Sequence, residues 1–281
     1  MTPDQPPSPP LWLYPNLLGL DSPAVAVAWQ WIFAKCFDTA FPPILHLILG
    51  LSVWCIYLAD RIYDVLSAKH PETGTDRMRF THRHLGLLFR VMLIASTVNL
   101  YLIIRHVPLH LIVSGLVTAL LLAIYYALRI NSRSRVNAIV PREILCGMLF
   151  ALGCAITPHA FEADTHDASS FWIAVGSLGL VCSASCILIS FWERDEDLAV
   201  NDVSIATDHS KVDRHMLLAL PLLAALCIPA ALSGNWPIYA SVAVSAIALL
   251  LMLRFQEMLS KSLLRVLADA VLLTPLIFVW F

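Results

Sequence analysis

The sequence predicts an all-α integral membrane protein with about nine transmembrane helices. Hydrophobic residues make up 59% of the 281 positions and charged residues only 14%, whereas a soluble domain is about half apolar and a quarter charged. The apolar residues are gathered into segments of roughly 20, the length that crosses a hydrocarbon core of about 30 Å. Because backbone polar groups in lipid must be paired within the chain, each segment is expected to be helical.

Eight segments are apolar enough to be assigned as spans from their sequence alone. They are 42–59, 86–104, 109–128, 142–158, 171–192, 216–232, 236–253 and 263–281. A ninth segment, 23–40, carries Gln30, Lys35 and Asp38. It is therefore either a first span with a polar outer end or an interfacial helix, and we count it as the first span.

The chain before the first span has a different composition. Residues 1–22 form a Pro-rich tail, and residues 23–281 form the membrane domain. Within the tail, the apolar stretch at 11–20 is expected to lie on the bilayer surface.

The distribution of positive charge predicts the orientation of the spans. Most of the 18 Lys and Arg residues fall in the connections that follow even-numbered spans. Such a bias marks the cytoplasmic side of a membrane protein. We therefore expect a multi-pass protein of a bacterial inner membrane, with its functional side facing the cytoplasm.

Pairs of acidic residues end two of the even-numbered spans. Asp60 and Asp64 are four residues apart at the end of the second span, and Glu193 and Asp197 repeat this spacing at the end of the sixth. Residues four apart share a helix face, and Asn201 continues the second series by one turn. Two such pairs on one side of the membrane repel each other unless a cation lies between them. Oxygen ligands at this density suit Mg²⁺, which commonly binds one or two carboxylates plus substrate phosphates.

A single acidic pair at a helix end is usually a solvated charge, but two pairs with the same spacing at matching helix ends favour a site. A stripe of small residues, Cys182, Cys186 and Ser190, precedes the second pair and allows another helix to approach closely. Several basic residues on the same side are suited to hold phosphate oxygens. These are Arg129, Arg133, Arg135, Arg142, Lys211 and Arg214.

This pattern resembles the UbiA superfamily of intramembrane prenyltransferases over residues 23–281. The first motif of that family is NDxxDxxxD, and its last two Asp match Asp60 and Asp64, whereas Ile56 and Tyr57 stand in place of the Asn and the first Asp. The second motif, DxxxDxxxD or a near variant, is matched by Glu193, Asp197 and Asn201. In the connection between the fourth and fifth spans, Tyr125 and Arg129 match a Tyr-xxx-Lys/Arg pattern, and Arg142 begins the next span.

The resemblance implies a helical bundle with a central cavity that opens near the cytoplasmic face. It implies Mg²⁺-dependent transfer of an isoprenyl group from an allylic isoprenyl diphosphate to a lipophilic acceptor within the membrane. The expected catalytic and metal-binding residues are Asp60, Asp64, Glu193 and Asp197. The residues expected to bind the diphosphate are Arg61, Tyr125, Arg129, Arg142, Asn201 and Lys211. The expected partners are thus the two substrates and the lipid bilayer, and no nucleic acid.

Other functions remain open at the level of the sequence. A membrane terpene cyclase would share the metal motifs and lack only the acceptor. A non-catalytic isoprenoid- or quinone-binding protein would explain the incomplete first motif. A transporter is less favoured because transporters place ionisable groups near the midplane in broken helices.

Two further groups of residues carry explicit expectations. In the family, the connection at 65–85 caps the active site, so Arg77, Arg79 and Arg83 are expected either to reach the diphosphate or to be solvated. Asp269 lies within the last predicted span, where an ionisable group is costly. We expect it to form a local ion pair with Arg265, four residues earlier.

Overall fold

The computed structural model describes residues 9–131, 141–161, 168–199, 205–208, 212–232 and 235–280, without the side chains at 125–131, 199 and 208. Within these ranges every regular element is helical. This confirms the prediction of an all-α protein.

The helices are numbered in chain order. They are α1 (Tyr14–Leu17), α2 (Asp21–Cys36), α3 (Ile44–Ser67), α4 (Asp76–Arg83), α5 (Leu85–His106), α6 (Leu109–Asn131), α7 (Arg142–Ala160), α8 (Ala168–Trp192), α9 (Arg194–Ala199), α10 (Ile205–Asp208), α11 (Val212–Leu232), α12 (Trp236–Arg254), α13 (Lys261–Ala270) and α14 (Pro275–Phe278). Short 3₁₀ turns lie at Leu11–Leu13, Pro71–Thr73, Gln256–Met258 and Val271–Leu273.

Six helices in the described part of the chain are long and apolar enough to cross a membrane: α3, α5, α7, α8, α11 and α12. They coincide with six of the predicted spans. Their outward faces carry exposed apolar side chains, such as Leu93, Ile94 and Leu116. The protein therefore has the character of a multi-pass membrane protein.

The other three predicted spans remain predictions. The segment 23–40 corresponds to α2, which together with the turn at Leu11–Leu17 makes a pair of helices bent by 73°. The segment 109–128 corresponds to α6, whose apolar part is described over Leu109–Ile124. The segment 263–281 is divided into α13, a 3₁₀ turn and α14.

Helix α8 lies at the centre of the bundle and is the most deeply buried of the six. It packs along α7 and also against α11, α12 and α13. The indole nitrogen of Trp29 in α2 donates to the carbonyl of Leu272, 2.8 Å away, which ties the first long helix to the last part of the chain. The largest buried aromatic side chains of this core are Trp29, Phe33, Phe37, Phe171 and Tyr239.

The N-terminal apolar stretch packs against the protein rather than lying wholly on the bilayer surface. Leu13, Asn16 and Leu17 are buried, while Leu11 is exposed. The stretch contacts α4 and the beginning of α13. It folds inward because polar side chains of α3 bind its backbone carbonyls, as described below.

Candidate functional site

A polar cavity of about 190 Å³ lies where the N-terminal stretch, the connection before α4, the end of α8 and the start of α13 meet. Apart from the N-terminal stretch, these segments belong to connections that follow even-numbered predicted spans. The side chains and backbone that line the cavity come from Leu13, Asn16, Leu17, Thr73–Arg77, Arg79, Glu193, Glu196, Lys261, Ser262 and Arg265. The cavity therefore adjoins the second acidic motif.

Basic side chains line several walls of this cavity. Arg79 donates to the carbonyl of Gly74 (2.9 Å) and forms an ion pair with Asp76. Lys261 binds Asp195 (3.1 Å) and Glu196 (2.8 Å). Partial burial lowers the pKa of Lys261, but the hydrogen bonds to these two carboxylates outweigh it and raise the pKa above its ordinary value. Lys261 is therefore a permanent cation at this wall.

Arg77 differs from these residues because it makes no ion pair or hydrogen bond with the described part of the chain. It lines the cavity directly. The positive charges of Arg77 and Arg265 disfavour the charge of Arg61, whereas the negative charges of Asp21 and Asp269 favour it. Arg77, Arg79 and Arg265 line this cavity, and guanidinium groups are suited to bind a phosphate-type anion.

Glu193, expected to bind a metal, forms a buried ion pair. Both of its carboxylate oxygens accept hydrogen bonds from Nη1 of Arg265. The two residues are only 9% and 8% exposed, respectively. Because a guanidinium holds both oxygens, binding of a metal by Glu193 requires this pair to open.

The expected ion pair between Arg265 and Asp269 does not form within the part of the chain that the structure describes. Arg265 is committed to Glu193, and Asp269 instead accepts a hydrogen bond from the side-chain nitrogen of Asn16 at 3.2 Å. Asn16 also donates to Asp21. The predicted pair was wrong because each residue binds a partner that is distant in the sequence. Arg265 binds Glu193, and Asp269 binds Asn16.

Arg61, expected to bind a diphosphate, is 4% exposed and binds the N-terminal stretch. Its Nη1 donates to the carbonyl oxygens of Asn16 (2.8 Å) and Leu17 (3.0 Å). Its Nε has no hydrogen-bond partner among the described residues. The guanidinium is therefore beside the cavity but occupied by backbone oxygens.

The first acidic motif lies on a continuous helix, as predicted. Helix α3 extends to Ser67, so Asp60 and Asp64 are one turn apart on the same face. Helix α3 also contacts α7, whose first residue is Arg142.

The two acids of the second motif are directed to different partners. The backbone nitrogen of Asp197 donates to the carbonyl of Glu193 at 2.9 Å, which preserves the helical turn between them. Whereas Glu193 binds Arg265, Oδ2 of Asp197 lies 4.0 Å from Nη2 of Arg142. Arg142 is thereby placed at the second motif. Of the other predicted site residues, Asn201, Lys211 and the side chains of Tyr125 and Arg129 lie outside the described part.

Glu143 is a member of this site that the sequence did not single out. It lies in the first turn of α7, where an acidic side chain is favoured by the helix dipole. The structure adds that its Oε1 lies 3.2 Å from Nε of Arg142 and accepts a hydrogen bond of 3.2 Å from the backbone of Ile205. Its Oε2 has no partner among the described residues. The adjacency of Arg142 and Glu143 was the one available sequence signal.

The described residues include no group of three or more His, Cys, Asp or Glu side chains that is ready to hold a metal ion. A Mg²⁺ ion that arrives with a diphosphate needs only one or two protein carboxylates. Asp60 and Asp64, one turn apart on α3, have this donor chemistry. They fit a metal shared with a substrate rather than a metal enclosed by protein.

Comparisons with protein-family models, with curated proteins and with solved structures find no match to this chain. Its function is therefore inferred from its own residues and their arrangement.

Proposed function

We propose that this chain is a divergent UbiA-type membrane prenyltransferase. It transfers an isoprenyl group from an allylic isoprenyl diphosphate to a lipophilic acceptor in the bilayer. The observation that carries the proposal is the position of Arg142 at the second acidic motif, where its Nη2 lies 4.0 Å from Oδ2 of Asp197. Arg142 begins α7, and α7 also contacts α3, the helix that carries the first acidic motif. In the proposed site, Arg142 serves both acidic motifs.

The proposed roles follow from charge and position. Asp60 and Asp64 hold Mg²⁺ together with the diphosphate, and the metal supplies charge neutralisation for the departing group. Arg142 and Arg77 bind phosphate oxygens and stabilise the charge that develops on them. Asp197 orients Arg142. The site faces the cytoplasm of a bacterial cell, because the segments around it carry most of the positive charge.

The proposed reaction breaks the bond between C1 of the isoprenyl chain and the diphosphate oxygen. The electron pair of that bond leaves with the diphosphate. The acceptor atom then forms a new bond to C1 and loses a proton to solvent. Glu193 takes no part in this step while it is bound by Arg265.

Release of diphosphate tests the proposal. Purified protein in nanodiscs is given geranyl, farnesyl or geranylgeranyl diphosphate with Mg²⁺, together with a membrane lipid extract as the source of acceptor. We expect release that depends on Mg²⁺ and falls about tenfold or more in Asp60→Asn and in Asp197→Asn, the scale on which removal of a group that stabilises developing charge acts.

Asp195→Asn is the matched control. Asp195 is two residues from Asp197 but is largely exposed and pairs with Lys261 at the surface. Its substitution is expected to leave release unchanged. Release that is equal in the Asp60→Asn and wild-type proteins would contradict the proposed role of the first motif.

A non-catalytic isoprenoid diphosphate-binding protein is the second candidate. The closed pair between Glu193 and Arg265 favours it, because one of the four expected metal-binding carboxylates is occupied. Binding of farnesyl diphosphate without release, weakened by Arg142→Gln, would establish this alternative.

A further inference from the structure

Residues 11–19, which we call the N-terminal strap, close one side of the polar cavity. Leu13, Asn16 and Leu17 of the strap line it, opposite the connection before α4. The ring of Tyr14 packs edge-on against Phe80 of α4, with centroids 6.4 Å apart. The strap therefore lines the cavity and packs against α4 and α13.

Polar bonds to its backbone hold the strap in place. Two come from Arg61, whose Nη1 donates to the carbonyls of Asn16 and Leu17. A third comes from the indole nitrogen of Trp54, which donates to the carbonyl of Leu18 at 2.9 Å. Both donors lie on α3, so the helix that carries the first acidic motif also carries the attachment of the strap.

The strap ends at a residue suited to be a hinge. Gly19 has φ +69°, in the left-handed region that favours glycine. Immediately after it the chain turns by 73° into α2. A Cβ atom at this position would lie 3.2 Å from Nη1 of Arg61. The hinge and the guanidinium are therefore in direct contact.

With the strap closed, the cavity is too small for a lipid-linked substrate. Its volume is about 190 Å³, whereas ligand pockets commonly measure about 300–1,000 Å³. The cations near the cavity differ in their partners. Arg77 has no ion-pair partner among the described residues, whereas Arg61 donates hydrogen bonds to two carbonyl oxygens. Carbonyl oxygens are weaker acceptors for a guanidinium than phosphate oxygens.

We propose that the N-terminal strap is a gate whose carbonyls of Asn16 and Leu17 occupy Arg61 until a phosphate group displaces them. Arg61 then joins Arg77 at the phosphate, and the strap swings outward about Gly19. This inference rests on the proposed function, since it assigns the gate to the diphosphate of that substrate. The strap and the diphosphate compete for one guanidinium, so weakening the strap tightens binding.

Two measurements on the full-length protein in nanodiscs test the gate. Calorimetry gives the affinity for inorganic diphosphate with Mg²⁺. Hydrogen exchange with mass spectrometry follows the peptide over residues 11–20, in which the amides of Leu18 and Gly19 bond within the strap. We expect diphosphate to increase exchange in this peptide and to leave α2 unchanged.

Trp54→Phe removes the hydrogen bond from the indole N–H to Leu18 and keeps an aromatic side chain. Because a net hydrogen bond is worth about 1 kcal/mol, we expect affinity for diphosphate to rise about fivefold. Gly19→Ala, which places a methyl group against Arg61, is expected to act in the same direction and serves as a second variant. Trp29→Phe is the control, because it loses an equivalent bond from an indole to a carbonyl at Leu272. Its affinity should equal that of the wild type.

The outcomes separate the gate from the proposed function. Binding of diphosphate with unchanged exchange in the strap, or with equal affinity in Trp54→Phe and Trp29→Phe, would overturn the gate and leave the enzyme proposal intact. Absence of diphosphate binding in the wild type and in both strap variants would overturn the anion site itself, and the gate with it.

Discussion

Replacing Arg265 with methionine is expected to lower the free energy of unfolding by about 3–5 kcal/mol, because it leaves the carboxylate of Glu193 buried without its partner. Both oxygens of Glu193 are bound by this one guanidinium. Burial of a charge is costly unless it is paired and hydrogen-bonded. The loss is measured by unfolding the wild type and Arg265→Met in mixed micelles of increasing SDS content.

The double variant Glu193→Gln/Arg265→Met separates the buried charge from lost packing. Removal of both charges is expected to restore most of the stability, since a buried ion pair replaced as a unit is often nearly neutral. Lys261→Met provides the surface comparison. Its pairs with Asp195 and Glu196 are solvated, so the change should be within about 1 kcal/mol. Equal losses in Arg265→Met and Lys261→Met would show that the Glu193 pair is not insulated from water.

The local part of the fold could be predicted from the sequence, because apolar length is a property of single segments. Six predicted spans coincide with helices that are able to cross a membrane. Asp60 and Asp64 share a face since α3 continues without a break to Ser67. The turn between Glu193 and Asp197 is preserved for the same local reason, through a backbone bond between them.

The choice of partners could not be predicted, because tertiary packing decides it. A local ion pair of Arg265 with Asp269 was the simplest expectation from their spacing. In the fold, α8 brings Glu193 to Arg265 over 72 residues of sequence, and the strap brings Asn16 to Asp269 over 253. Spacing within one helix contains no information about such contacts.

The last predicted span shows a similar limit. Hydropathy described residues 263–281 as one span, but Pro275 begins a new helix after α13 has ended at Ala270. Proline lacks the N–H that would continue a helix and is suited to its first turn. Pro275 was therefore a local signal for this division. The prediction of a single span gave more weight to length and hydropathy than to the proline.

The contact between α7 and α8 carries the other large expected effect. Helix α8, which carries the predicted stripe of small residues, packs along α7, and Cys182 and Ser190 of the stripe are buried. Nearby, Gly147 packs directly on the backbone of α8. A Cβ atom at position 147 would lie 2.7 Å from the Cα of Ser183 and closer still to its backbone nitrogen.

Gly147→Ala is therefore expected to be destabilising even though alanine is the better helix former. The gain in helix propensity is about 1 kcal/mol, while overpacking against backbone commonly costs about 1–3 kcal/mol and sometimes more. Since backbone atoms cannot rotate away, the start of α7 must shift and carry Arg142 away from Asp197. We expect a lower SDS unfolding midpoint and, with it, lower release of diphosphate.

Gly179→Ala is the matched control on the same pair of helices. The added methyl group there meets mainly the sulfur of Met148, the far end of a flexible side chain. Methionine adapts readily to such changes, so the gain in propensity should offset most of the contact. Equal destabilisation by the two substitutions would mean that the contact of Gly147 with the backbone of α8 is no tighter than the contact of Gly179 with the side chain of Met148. Selective loss in Gly147→Ala would place the close contact near the start of α7, where Arg142 lies beside Asp197. It would thereby link the packing of two transmembrane helices to the geometry of the proposed site.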